Sequence, residues 1–553
     1  MGAVMSVRRT GCSAGSARAL FLGFCVAAAA AAPAAAQWQV GVGGVPSRHS
    51  LSTQNGPGAA DPLWQHTQNT TVAQQAVIDG DLVVVNRIFN LGDTLHGTRI
   101  EGYDLTSGAK LWSVELPVSF PDAWRSRVTG IRDGHVYATR SGNTNAEFLY
   151  ALSPLDGSIV WTSDDLITET TTESVSFASD GDVITIGAGG AARLIRIDRD
   201  TGDTVWKTPG STPTSGGSDA AIFGDRAYIW EPTATAGPKI TAVDLTTGMK
   251  LYSAPGIVGG FIQQVAPFVG PDGTIYAPRT QNNPITDFLV AYTDTGAALV
   301  EKWRVPLGFV PFASFGVGPD GSVYSYSPAR EIQRLDPATG ALLDASAPVP
   351  GDPTFSPRMA IDRDGTVYLT NGGFAGGRLL AYAPDLAPLW NVAVPGVNVG
   401  GPALGEDGTL VVCSTTGTVR AYRCDASFES YGSGCEGSGG FVPALVGQGC
   451  PGPGQGVSLL VSDGLGGAPA LLLFGTGTGA QPVKGCDVQV LPLLPLSFLF
   501  ALPGAGPGGG SVTLSGTVPP GTPVLDLYLQ VLVADPGSAG GAAGTNPLHM
   551  HVE

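Results

Sequence analysis

Three aspartates in the spacing Asp-x-Asp-x-x-Asp, namely Asp198, Asp200 and Asp203, could offer several carboxylate oxygens to a Ca²⁺ ion, as could Asp362 with Asp364. Tight turns call for the same residue type, because an Asp carboxylate caps nearby backbone N–H groups and the Gly that follows accepts a positive φ. His549, His551 and Glu553 alternate, so on a strand they share one face, a pattern able to hold a metal or to lie along an exposed edge. Trp124 and Trp230 could each act as a flat platform for a planar ligand or pack as ordinary apolar side chains. Nucleophilic catalysis has little to draw on. The chain has six His, and residues 37–553 contain no Gly-x-Ser-x-Gly elbow.

The elements that must position these residues recur eight times. Turn anchors stand at Asp79-Gly80, Asp133-Gly134, Asp180-Gly181, Gly224-Asp225, Asp272-Gly273, Asp320-Gly321, Asp364-Gly365 and Asp407-Gly408, about 43 to 54 residues apart. That is the period of a four-stranded blade, and it predicts a β-propeller. In the second unit, Gly130 to Arg132 closes one strand, His135 to Thr139 alternates as the next, Phe148 to Leu152 is the third, and Ser158 to Trp161 the fourth. Two registers persist: Tyr137, Tyr276, Tyr324 and Tyr368 lie three positions after the turn glycine, and Trp112, Trp161, Trp206 and Tyr252 lie four after a second glycine. The eighth unit lacks its fourth strand, and residues 62–66 read as an orphan strand able to supply it, which would close the ring and remove a frayed edge.

The segments Tyr103-Asp104-Leu105-Thr106-Ser107-Gly108-Ala109-Lys110-Leu111-Trp112, Asp198 to Trp206 and Val243 to Tyr252 resemble the Ala-x-Asp-x-x-Thr-Gly-Lys-x-x-Trp repeat of the pyrroloquinoline-quinone-like propellers. The resemblance spans residues 61–424 and implies the fold, with quinoprotein alcohol dehydrogenases and an outer-membrane assembly lipoprotein among the proteins that share the repeat. A quinoprotein site would need Ca²⁺, a catalytic Asp and a Trp floor under the quinone. None of these maps by motif onto particular positions here.

Composition bounds the remaining readings. With 46 acidic against 29 basic residues the net charge is −17, and no basic run follows the N-terminus, which excludes binding to a phosphate backbone. Residues 1–36 read as an export signal: Arg8-Arg9, an apolar stretch, then Ala34-Ala35-Ala36 as a cleavage site. No second membrane span is expected; the apolar stretch 488–502 is broken by Pro492 and Pro495 and reads as buried strands. Residues 37–60 read as a linker, 425–440 as a flexible Gly/Ser joint, and 441–553 as a small β-sandwich that resembles modules attached to secreted bacterial proteins. Cys413, Cys424, Cys435, Cys450 and Cys486 follow the expected signal, an odd number whose pairing is open.

The expected architecture is thus all-β, an eight-bladed propeller followed by a small sandwich. The expected role is a secreted, periplasmic or cell-surface scaffold that binds a protein or glycan and needs no cofactor. The alternative is an exported oxidoreductase using pyrroloquinoline quinone and Ca²⁺.

Overall fold

Each repeat becomes a sheet because its turns permit only tight reversals. In the second repeat, Asp133 and Gly134 take φ of 50° and 79°, the paired left-handed conformation of a two-residue hairpin turn. That turn joins Arg125–Arg132 to His135–Ser141, and Leu149–Leu152 and Ile159–Thr162 extend the antiparallel order. The computed structural model describes residues 38–553 except 73, 90–97, 119–124, 142–145, 169–174, 189–192, 211–219, 232–237, 257–265, 282–285, 311, 352–356, 373–375, 398–399, 454–455 and 539. The expected export signal lies outside the described residues. Among them, eight antiparallel sheets of four or five strands occupy residues 62–422, and the one helical element is a single 3₁₀ turn, Ser438–Gly440.

Consecutive sheets are locked by the closing tryptophans. The indole N–H of Trp112 donates to Pro154 O at 2.8 Å, Trp161 to Arg199 O at 2.8 Å, Trp206 to Leu245 O at 2.9 Å and Trp303 to Pro337 O at 3.0 Å. Each acceptor lies in the turn between the third and fourth strands of the following sheet. The glycine of that turn is where the ring lands: a β-carbon on Gly157 would sit 2.7 Å from Trp112, and φ there is +73°. Gly202, Gly248 and Gly340 meet Trp161, Trp206 and Trp303 in the same way. Within a sheet the register tyrosine backs the tryptophan, with ring centroids 5.9 Å apart for Tyr137–Trp161 and 5.7 Å for Tyr276–Trp303.

The last sheet borrows its outer strand from the start of the chain, as the sequence implies. Pro62–Thr67 pairs antiparallel with Thr418–Tyr422, placing Trp64 opposite Ala421. Trp64 then plays toward the first sheet the part that Trp112 plays toward the second: its indole donates to Leu105 O at 2.7 Å, and its ring lies against Gly108. The seam also holds a buried ionic network. Glu101 accepts from Arg87, Tyr103, Gln68 and Lys110, and Arg87 donates across the seam to Gly417 O at 2.9 Å. One apolar cluster joins Val83 and Tyr103 of the first sheet to Val411 and Val419 of the last.

Residues 38–54, expected to form a linker, instead run along the first strands of seven sheets in chain order. Ile78 N donates to Trp38 O, Ile131 N to Gln39 O, Ile222 N to Pro46 O, Val269 N to Ser47 O, Val317 N to His49 O and Ile361 N to Ser50 O, all at 2.8–3.0 Å. Arg48 is 3% exposed and bonds to Ala220 O and Val175 O, while Ser176 Oγ donates to Pro46 O, which brings in the third sheet. From Trp38 to Ser52 an extended chain spans at most about 50 Å, so strands it touches in seven sheets must converge on one narrow axis. The first strands would otherwise turn unpaired N–H groups inward, and the segment pairs them.

After Tyr422 the chain enters the C-terminal module, which lies with the propeller in one compact unit. The expected flexible joint at 425–440 is folded: Ser427–Ser430 pairs with Leu548–Val552, and Asp535 accepts from Ser438 N at 2.7 Å. Disulfides Cys424–Cys450 and Cys435–Cys486 pin both ends of that stretch, and Cys413 is a buried free thiol that burial pushes up to about 12. The module has one sheet in the strand order Ser427–Ser430, Leu548–Val552, Leu525–Ala534, Pro469–Gly475, Leu493–Ala501 and another of Ala444–Gly449, Gly456–Gly466, Gly506–Thr517. Leu445, Val461, Leu472, Leu529 and Val531 fill a core shared by the two sheets. The expectation of buried strands at 488–502 fails over Leu493–Ala501, which is mostly exposed because it is the outermost strand of its sheet.

Trp390 tests the locking arrangement internally. It closes the seventh sheet, but the eighth has no turn after its third strand, since the chain departs for the module there, and the buried indole N–H of the half-buried Trp390 finds no acceptor among the described residues. Trp161→Phe is therefore expected to cost about 1 kcal/mol more than Trp390→Phe, the worth of one hydrogen bond, read from urea unfolding. Arg48→Ala removes charge-assisted bonds that fasten the inner segment and is expected to cost about 3 kcal/mol or more in the same assay.

Candidate functional site

The aspartates that could have bound Ca²⁺ are turn caps. Asp198 Oδ1 accepts from the N–H groups of Asp200 and Thr201, both at 2.9 Å, and from the Thr201 hydroxyl at 3.2 Å. Burial alone would raise the Asp198 carboxyl, but these donors outweigh it and hold the group below the usual carboxylate range. Asp200 and Asp203 are exposed on the turn beside it. Asp104, Asp244 and Asp336 cap the equivalent turns by accepting from Ser107, Thr247 and Thr339. Asp362 is committed elsewhere: it accepts from Thr366 N and Asp364 N within its own turn and from Gly56 N, while Asp364 accepts from Asn55. These two carboxylates hold down the end of the inner segment.

The other residues singled out by type are also placed. Trp230 is 1% exposed, packed between the fourth and fifth sheets with Tyr228 and Val290, and the Arg279 guanidinium lies 5.6 Å from its ring centroid. Trp124 lies outside the described residues. His549 and His551 do share a strand face, and both reach one carboxylate oxygen, Asp526 Oδ1, at 2.8 and 2.9 Å. Asp526 and then Glu553 raise the His551 imidazole above its ordinary value. Among the described residues no group of three or more His, Cys, Asp or Glu side chains is arranged to hold a metal ion.

Two of the clefts among the described residues are of ligand size. One, of about 340 Å³, lies between the fourth and fifth sheets, lined by Phe223, Asp225, Arg226, Asp272 and Asp294. Its most buried carboxylate is internally paired, since Asp294 accepts from Arg226 at 2.8 Å, Tyr228 OH at 2.7 Å and Tyr252 OH at 2.6 Å. The other, of about 330 Å³, lies between propeller and module. Asn55 and Asp407 line it from the propeller side and Phe428, Gln448 and Gly449 from the module, and Leu389, 39% exposed, adds an apolar wall. Arg423 holds the Asp407 carboxylate at 2.6 Å. Amide side chains, glycine backbone and an apolar wall can receive a peptide or a polyhydroxylated ring, and Ser427 adds a hydroxyl to the lining. The inner segment that brings Asn55 here had one signal in the sequence, the alternation of Trp38, Val40 and Val42, which are buried at 5% exposure or less.

Sheets that converge on a common axis make a β-propeller, and its repeats resemble those of the pyrroloquinoline-quinone-like propellers. Residues 96–343 match the family model described as outer membrane protein assembly factor BamB. No curated protein matches the chain. Among solved structures, BamB from Moraxella catarrhalis is 15% identical, covering 66% of this chain and 100% of its own with a TM-score of 0.45. A europium-containing methanol dehydrogenase is 13% identical, covering 72% of this chain and 90% of its own at a TM-score of 0.47. The computationally designed Ika8 protein is 12% identical, covering 66% and 100% at 0.47. The two disulfides fit an oxidising compartment, and no helix among the described residues is long and apolar enough to cross a membrane.

The turn caps set an acid response. Asp104, Asp198, Asp244 and Asp336 all have lowered pKa values, so their stabilisation is complete above the unfolded value of about 3.9 and is lost as pH falls through the folded values. Replacing all four with Asn is expected to flatten the fall of the melting temperature below about pH 4, measured by thermal melts across pH. A fall as steep as that of the parent chain would show that the acid response arises elsewhere.

Proposed function

We propose that the chain is an extracytoplasmic, non-catalytic binding scaffold: an eight-bladed β-propeller closed by its N-terminal strand, with a C-terminal β-sandwich, engaging a protein or glycan at the cell envelope. The observation that carries this reading is the inner segment. Residues 38–54 line the axis with seven of the first strands, so the space where a propeller enzyme could enclose a planar cofactor is taken by the chain's own backbone. Trp230 and Asp198 do not fit pyrroloquinoline quinone and Ca²⁺ either: Trp230 is walled in under Arg279, and Asp198 is held by its own turn. The family model named for an assembly factor supports a protein partner over a small substrate. The two disulfides, with the signal-like residues 1–36, support export.

A rigid ring suits this role because little ordering entropy is lost when a partner docks on preformed turns. The cleft between propeller and module is the docking place this reading favours, since both parts contribute to it and a disulfide borders it.

The test is a thermal melt of the purified chain with pyrroloquinoline quinone and Ca²⁺, together and separately. A ligand at 100 times its dissociation constant adds about 2.7 kcal/mol of stability, so binding would raise the melt visibly. No shift is expected under any of the three conditions. A shift that requires both additions would overturn the scaffold reading in favour of a quinoprotein oxidoreductase.

A further inference from the structure

The outermost strand of the module, Leu493–Ala501, is built to be covered. It pairs on one side with Pro469–Gly475, and among the described residues it pairs with nothing on the other. Leu502 N donates to Ala468 O, and the register Phe500 opposite Ala470 and Phe498 opposite Leu472 continues from that bond. Amides alternate along a strand, so those of Ser497, Leu499 and Ala501 point away from the sheet.

Both faces of this strand are apolar and open. Phe498 is 52% exposed on one face and Leu499 70% on the other, and Leu496, at 58%, and Leu493, at 46%, continue the apolar run toward the start of the strand. Natural edge strands are usually blunted by charge, yet residues 488–525 contain no Asp, Glu, Lys, Arg or His. In a chain of net charge −17 this is an uncharged stretch.

We propose that Leu493–Ala501 is a dimer interface, at which two copies pair this strand antiparallel about a two-fold axis and join their sheets into one. The outward N–H and C=O groups call for another strand, as in β-augmentation. A lipid surface would leave those groups unpaired in hydrocarbon. The partner strand must be apolar on both faces and bring no charge, and this strand meets both conditions for itself. Acidic copies repel through most of their surfaces; at this edge neither carries a charge to oppose the other. A two-fold axis makes the contact self-complementary and closed, so it ends at a dimer.

Sedimentation of the purified full chain at concentrations of about 1 to 100 μM, with hydrogen exchange on the same samples, tests this. The expected result is twice the chain mass, with slow exchange at Ser497, Leu499 and Ala501. Leu496→Lys with Leu499→Lys changes side chains that are 58% and 70% exposed, so the melt should be retained while self-association weakens by about a hundredfold or more through like charges brought face to face. Ser497→Pro, which removes an outward N–H, should weaken the dimer in the same direction. A monomer at every concentration would overturn the proposal, as would a dimer in which those three amides exchange fast or one that the lysines leave intact. A monomer that binds vesicles of neutral phospholipid would assign the surface to lipid and overturn it too.

Discussion

The docking of a closing tryptophan onto a glycine turn of the next sheet, made by Trp64, Trp112, Trp161, Trp206 and Trp303, is the contact on which the ring depends. It joins three requirements in one place: a large apolar ring to bury, an indole N–H that must find an acceptor, and a glycine that admits both the positive φ of the turn and the approach of the ring. Pro154, Arg199, Leu245 and Pro337 supply the acceptors at matched positions. The Asp caps at Asp104, Asp198, Asp244 and Asp336 serve the same contact, because each rigidifies the turn on which the preceding tryptophan lands. What looks in sequence like a set of candidate metal ligands is the frame of a packing contact.

The repeat sets up two kinds of incomplete edge, and the N-terminal residues complete both. The last sheet lacks an outer strand and receives Pro62–Thr67, which carries its own tryptophan to the first sheet. The first strands leave inward-facing amides, and residues 38–54 accept from them in chain order around the axis. An open axis would have offered a ligand site at the cost of unpaired buried backbone. Here the backbone is paired, and the accessible concavities move to the rim and to the join with the module.

The module is fastened to the propeller by covalent and non-covalent means together. Cys424 leaves the last propeller sheet and is bonded to Cys450 within the module, while Ser427–Ser430 enters the module's sheet at once. A stretch rich in Ser and Gly is thereby ordered by its cross-links and by Asp535, although its composition matches a free linker. Cys413, the odd cysteine, stays inside a propeller strand as a small apolar side chain.

By itself the sequence determined the all-β class, the repeat and the closing strand, because these rest on local rules: alternation along a strand, the φ a turn needs, and the spacing of Trp after Gly. Those rules act within about ten residues, so they survive without knowledge of what lies across the fold. They also made Trp64 legible as the partner of the eighth unit, since it repeats the local pattern of Trp112. Tertiary structure alone decided how the chemistry-bearing side chains are used. Asp362 meets Gly56, Trp230 meets Arg279, and His549 and His551 meet Asp526 only because strands far apart in the chain are brought together. Residues 38–54 looked like a linker for the same reason: their order comes from hydrogen bonds to seven different sheets, and no window of neighbouring residues contains those partners. Edge position is likewise a property of the assembled sheet, which is why an apolar run that reads as buried lies exposed at Leu493–Ala501.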